Sequence, residues 1–215
     1  MAEKDSTYIS REIWFSLLVI VILAMLLHYF LGSTIAMPLW GLLFALAYVF
    51  RDPERRVPSQ PLAIVSPVDG RIVAIDNLPN PYIGCDSIRV SILMDRTGSY
   101  RIRSPIEGRV MQRWFLLPGD PLPLLEGAIG RLHISNWIQT DEGEDIVLSM
   151  RREMKWFSPR CDIQAGERIG QGQRCGIIPF GSHVDLYIPS NSVVKQEIGA
   201  RLKAGSDVLG YLRHE

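Results

Sequence analysis

The sequence predicts a mainly β protein: a small sandwich- or barrel-like soluble domain behind an N-terminal transmembrane helical hairpin. Three observations carry this expectation. Two apolar runs, residues 14–31 and 35–50, lie near the start of the chain and contain no Asp, Glu, Lys or Arg. From Arg51 onward, Pro and Gly punctuate short β-branched runs, the texture of an all-β sandwich or barrel. Turn-then-strand segments also recur within this second part, as in folds made of repeated short units.

The first run, Trp14–Leu31, has 18 residues and the second, Ile35–Phe50, has 16. A spanning helix needs about 20 apolar residues, with about 17 at the short end. The first run therefore qualifies and the second is marginal alone. A tight hairpin joined by Gly32-Ser33-Thr34 is expected; one span followed by a re-entrant or interfacial helix is the alternative. Lys4 and Arg11 precede the first run, Arg51, Arg55 and Arg56 follow the second, and the connection has neither Lys nor Arg. The positive-inside rule then puts both ends in the cytoplasm. A cleaved signal peptide fits less well, because the first run is long, an Ala-x-Ala site is missing and a second run follows at once. The expected organisation is a membrane anchor over 1–50 and a folded domain over 51–215, on the cytoplasmic side of the inner membrane. His28, inside the first run, reads as a neutral residue near a helix end.

Strands are expected at Arg71–Ile75, Ser87–Leu93, Arg109–Phe115, Ile146–Met150 and His183–Ile188. The one candidate helix of this half, around Leu124–Ile138, is weakly patterned. Two internal echoes stand out. Ser66-Pro-Val-Asp-Gly-Arg-Ile returns as Ser104-Pro-Ile-Glu-Gly-Arg-Val. Ile163-Gln-Ala-Gly-Glu-Arg-Ile-Gly resembles Leu202-Lys-Ala-Gly-Ser-Asp-Val-Leu-Gly. Each places a Gly at a turn before a β-branched run. Small sandwiches that carry lipoyl or biotinyl groups use such units, but they need a Lys at a hairpin tip, and neither Ser-Pro echo has one.

Composition narrows the partners. Basic and acidic residues number 23 each, without the basic excess of a nucleic-acid binder. Only four of the 23 basic residues are Lys; the Arg bias suits anionic head groups, since a guanidinium fork matches phosphate oxygens. Cys85, Cys161 and Cys175 show no CxxC spacing, so neither a zinc site nor a disulfide framework is expected.

The informative segment is Cys175-Gly-Ile-Ile-Pro-Phe-Gly-Ser-His-Val-Asp-Leu-Tyr-Ile-Pro189, with Phe180-Gly181-Ser182 between two strand-like runs. It resembles the processing motif of phosphatidylserine decarboxylases, especially the short bacterial and archaeal form, and the resemblance extends over most of residues 50–210. Phe50-Arg51-Asp52-Pro53-Glu54-Arg55 followed by Pro58 matches the family's entry to its soluble domain, and Ser66-Pro67-Val68-Asp69-Gly70 matches its Ser-Pro-Ala-Asp-Gly element.

The resemblance implies that Ser182 Oγ attacks the carbonyl of Gly181, where no Cβ obstructs the approach. Elimination then releases chain 1–181 and leaves a pyruvoyl group at the head of chain 182–215. That ketone would form a Schiff base with the amine of a serine phospholipid and accept electrons as carbon dioxide departs. Phosphatidylserine and archaetidylserine are not distinguished, and no metal is implied. Asp69 matches the family's processing aspartate, and Glu107 in the second echo reads as a turn residue. The chain departs from the family at Tyr100, where His is usual, and at Asp141-Glu142-Gly143-Glu144, in the region of its Asn-Glu-Arg stretch. His183 is the candidate acid/base in place of the missing imidazole, and Tyr100 a candidate donor. Arg101, Arg103 and Arg109 are candidates for the substrate phosphate, with Arg103 the one matched to the family. The two processed chains are expected to remain associated. A non-catalytic, membrane-anchored β module of the same family, binding lipid or protein, is the competing expectation.

Overall fold

A computed structural model describes residues 14–49, 53, 55–96, 98–122, 125–128, 132–151, 159–178 and 183–213. Two compact units result, Met1–Glu54 and Arg55–Glu215.

The first unit holds two helices that pack together, α1 (Trp14–Leu31) and α2 (Ser33–Val49). Gly32 alone separates them, at φ +87, a left-handed value that glycine adopts without a Cβ penalty. The turn is thus tighter than the three-residue connection expected. Among the described residues no helix is long and apolar enough to cross a membrane, so the spanning hairpin lacks support. At the α-helical rise, α1 and α2 extend about 27 and about 26 Å, against a hydrocarbon core of about 30 Å. Pro38 lies inside α2 and removes one backbone donor there.

The second unit is mainly β, as expected. In chain order its strands are β1 (Ala63–Val65), β2 (Gly70–Pro79), β3 (Asp86–Met94), β4 (Arg101–Arg103), β5 (Gly108–Leu116), β6 (Pro121–Leu122), β7 (Leu125–Ala128), β8 (His133–Gln139), β9 (Asp145–Arg151), β10 (Arg160–Cys161), β11 (Arg168–Ile169), β12 (Arg174–Ile177), β13 (His183–Pro189), β14 (Val193–Val194), β15 (Arg201–Leu202) and β16 (Val208–Tyr211). Each of the five expected strands lies within an observed one. Where the weak helix was expected, around Leu124–Ile138, the described residues instead form β7 and β8. β8 alternates buried Ile134 and Ile138 with residues of the other face, a period of two that the longer window blurred.

Eight strands form one curled, half-barrel sheet in the order β11-β5-β8-β9-β13-β3-β2-β15. Its interior face carries Ile72, Val90, Ile92, Ile138, Leu148, Val184, Leu186 and Ile188, all fully buried. Two three-stranded sheets, β1-β16-β14 and β10-β12-β4, complete the unit, with a short β6-β7 pair.

The echoes are the signature of an internal two-fold repeat. Ser66 Oγ donates to Val68 C=O at 2.8 Å, and Ser104 Oγ to Ile106 C=O at 2.6 Å. The halves clasp reciprocally: Val65 N–H donates to Pro105 C=O and Arg103 N–H to Pro67 C=O, both at 2.9 Å. Gly70 and Gly108 open equivalent strands, and a Cβ on either would lie 2.3 Å from a backbone oxygen of the neighbouring strand.

The second echo is real but shifted from the expected pairing. Gly166-Glu-Arg-Ile-Gly-Gln-Gly172 corresponds to Gly199-Ala-Arg-Leu-Lys-Ala-Gly205. Arg168 pairs with Arg109 as Arg201 pairs with Arg71. Gly172 N–H donates to Ser104 C=O as Gly205 N–H does to Ser66 C=O, both at 2.8 Å. All four terminal glycines of these segments have positive φ. The matching Ala-Gly dipeptides misled, because the backbone registers on the φ-positive glycines.

Candidate active site

Asp69 follows the first Ser-Pro turn and is almost buried, with 7% exposure. Its carboxylate accepts three hydrogen bonds among the described residues. Ala204 N–H donates to Oδ1 at 2.7 Å, Ser99 N–H to Oδ2 at 3.0 Å, and Arg55 Nη2 to Oδ2 at 2.8 Å. A carboxylate offers about four acceptor directions, so one is left for an incoming proton. Gly98 packs on this residue so closely that a Cβ there would lie 2.8 Å from Asp69 Cβ. The Asp69 carbonyl accepts Asp95 N–H at 2.9 Å. Asp69 is therefore wrapped by the segment from β3 to β4, Asp95 to Tyr100.

Residues 93–100, which contain that segment, also bind both stems of the Pro179–Ser182 stretch. On one side Ile178 N–H donates to Tyr100 C=O at 2.9 Å. On the other, His183 opens β13 opposite Leu93 of β3. Gly181 and Ser182, the predicted reacting pair, lie outside the described residues. Their chain neighbours at 178 and 183 are both fastened to residues 93–100, which enclose the Asp69 carboxylate.

The other predicted residues divide. Tyr100 is buried, and its hydroxyl donates to Arg96 C=O at 2.6 Å. Burial raises its pKa, so the phenol stays protonated at neutral pH. The expected donor thus has a backbone acceptor already. Arg103 is not a surface guanidinium either. It is 8% exposed, donates to Gly172 C=O at 3.1 Å and lies against Gly205, joining the two repeats from inside. Arg101 faces Asp162 at 3.7 Å, and Arg109 is exposed on β5. Glu107 behaves as the turn residue expected: it is exposed and pairs with Arg168 at 3.2 Å.

His183 shares a strand face with Asp185 and Tyr187, opposite the buried Val184, Leu186 and Ile188. This face carries a polar row that sequence reasoning missed. Asp185, 3% exposed, accepts bonds from Ser91 Oγ and, at 2.8 Å, from Arg151 Nη2. Ser149 accepts from Ser135 at 2.9 Å and lies 2.9 Å from the Tyr82 hydroxyl. His133 pairs with Arg151 across β8 and β9. Its pKa is lowered, first by burial, then by the Arg151 charge, against the pull of Asp185. One signal for this row was legible: an Asp at the centre of an apolar strand, where unpaired acids almost never sit. Arg55 was visible only as part of a motif, without a partner.

The phosphatidylserine decarboxylase family model matches residues 42–210. The chain is 32% identical to the phosphatidylserine decarboxylase proenzyme of Nitrosomonas eutropha, over 95% of each chain. It is 34% identical to the proenzyme of Burkholderia ambifaria, over 95% of this chain and 96% of that one. The proenzyme of Nitrosomonas europaea is 33% identical, over 94% of each. No solved structure matches. A match across most of the chain, together with an enclosed aspartate beside the stems of a Gly-Ser segment, places this chain in the phosphatidylserine decarboxylase family of carboxy-lyases.

Proposed function

We propose that this chain cuts itself between Gly181 and Ser182 and uses the resulting pyruvoyl group to decarboxylate a serine phospholipid to its ethanolamine counterpart. One observation carries the reading: the Leu93–Tyr100 segment encloses the Asp69 carboxylate and binds both stems of the Gly-Ser stretch. The word proenzyme in the relatives' names agrees with a processed chain.

In this reading Asp69 takes the proton of the Ser182 hydroxyl as Oγ bonds to the Gly181 carbonyl carbon, and the Gly181–Ser182 amide bond breaks. Loss of the Ser182 Cα proton then breaks the Cβ–Oγ bond and frees the Gly181 carboxylate. Water replaces the nitrogen of the dehydroalanine, releasing ammonia and leaving the ketone. Once formed, that group supplies an electron sink for the carbon–carbon bond that breaks. The residues fit its formation, because the Ser follows a Gly and both stems are held. β13 pairs with β3 over residues 183–189 and with β9 over residues 184–187, which holds chain 182–215 in place after the cut.

The first unit supports attachment to a bilayer. Leu18, Leu23, Met25, Phe30, Met37 and Phe44 are all large, apolar and exposed. Burying such side chains in lipid is favourable in proportion to their area. The β unit then works on the cytoplasmic side of the inner membrane. A reporter fused to the C-terminus should be active in the cytoplasm; activity confined to the far side would refute that placement.

Intact-mass analysis of the purified full-length chain tests the enzyme reading. Two chains, 1–181 and 182–215, are expected, the smaller with a carbonyl at its blocked N-terminus, and Ser182→Ala should give one chain. Turnover of serine phospholipid by an uncut chain would refute the mechanism. A second reading, a non-catalytic relative that binds lipid or protein, is favoured by Tyr100, which stands at the usual imidazole position with its hydroxyl bound to Arg96 C=O. An inert wild type that begins to split after Tyr100→His would establish it.

A further inference from the structure

Arg55 is the first residue of the β unit, six positions after the last residue of α2. Its guanidinium reaches Asp69 Oδ2 at 2.8 Å, with side-chain exposures of 17% for Arg55 and 10% for Asp69. A partly buried, charge-assisted bond of this length fixes a carboxylate more firmly than a neutral one does.

The internal repeat shows that this contact is an addition. In the second repeat, the residue equivalent to Asp69 is Glu107, and its cation, Arg168, comes from within the repeated segment. The counterpart of Arg168 in the first repeat is Arg201, which is exposed and pairs across the sheet with Arg71. Asp69 instead takes its cation from the entry segment, outside both repeats. The same fold therefore builds this turn without Arg55. The bonds from Ser99 and Ala204 already satisfy Asp69 as a turn residue, one on each oxygen. What Arg55 adds is a fixed orientation of the carboxylate plane and a counter-charge in a nearly closed site.

We propose that Arg55 is the positioning residue for self-cleavage: it holds the Asp69 carboxylate in the orientation that receives the Ser182 proton. This rests on the reading under Proposed function. It also gives the Arg-Asp-Pro-Glu-Arg entry segment a task beyond joining the two units, since its final Arg completes the processing site.

The test follows the splitting of newly made full-length protein by intact mass over time. It compares wild type, Arg55→Ala, Arg55→Lys and Arg56→Ala, with thermal unfolding of each. Misplacing a reacting group by about 1 Å costs roughly 100-fold in rate, so Arg55→Ala should split about 100-fold more slowly than wild type while remaining folded. Arg55→Lys should fall between them, because an ammonium supplies the charge without the fork. Arg56, the exposed neighbour, should be silent on replacement. Added methylguanidine should speed splitting of Arg55→Ala and leave Arg55→Lys unchanged, a response that a general loss of stability would not produce. Wild-type splitting with Arg55→Ala equally fast, or slow but deaf to methylguanidine, overturns the role of Arg55 alone. A wild type that never splits overturns the cleavage reading and this inference together.

Discussion

Asp185 is a sharp test of the polar row, because its environment is specified on both oxygens. Asp185→Ala removes an acceptor from Ser91 Oγ and the anion from Arg151, inside a face where Asp185 itself is 3% exposed. Breaking a buried ion pair by removing one partner costs about 3–5 kcal/mol. The Arg151 side chain is 33% exposed and regains water, which sets the expectation at the lower end, about 3 kcal/mol. For a domain of this size about 1 kcal/mol moves Tm by about 2–4 °C, so Tm should fall by about 6–12 °C. The assay is thermal unfolding in a Ser182→Ala background, where one uncut polypeptide melts. Replacing both partners, with Asp185→Leu and Arg151→Met, should recover most of the loss, because a matched apolar pair carries no stranded charge. A fall below about 2 °C for Asp185→Ala, or a double variant no better than the single, would refute the idea that this pair organises the sheet face.

Three further outcomes follow from the same geometry. Gly70→Ala and Gly108→Ala should destabilise alike, by about 3 kcal/mol, because each Cβ would sit 2.3 Å from a backbone oxygen; only Gly70→Ala, beside Asp69, should also slow splitting, and equal splitting rates would count against the asymmetry of the two repeats. His133 has a lowered pKa in the fold, so its contribution to stability is complete above the unfolded value near 6.5 and is lost as pH falls toward the folded one; His133→Gln should flatten the drop in Tm between about pH 7 and about pH 5, and an unchanged slope would disprove it. Tyr100→His should accelerate splitting by about tenfold or more if an imidazole serves there as acid or base, measured by intact mass; a slower variant would show that the Tyr100–Arg96 bond matters more than the proton carrier.

The chain order of residues was enough to fix the β character of the second unit, because alternation and turn glycines are local signals. It also exposed the first repeat, whose Ser-Pro turns read alike. Those readings depend on neighbours a few positions apart. Membrane crossing was legible only as apolar length, and among the described residues neither helix is long and apolar enough to cross. Arg103 and Arg55 show what the linear order could not decide. Both are arginines in matched motifs, yet one turns inward to a backbone carbonyl and the other reaches across to a carboxylate. Which acceptor each meets depends on where the two repeats clasp, through Val65, Pro67, Arg103 and Pro105. The row around Asp185 is equally non-local, since its members come from four strands and meet only when the sheet register is set. Tertiary structure decides such matters because a side chain's charge and donors are inherent in the residue, whereas its partner is whatever the folded backbone brings within about 3 Å.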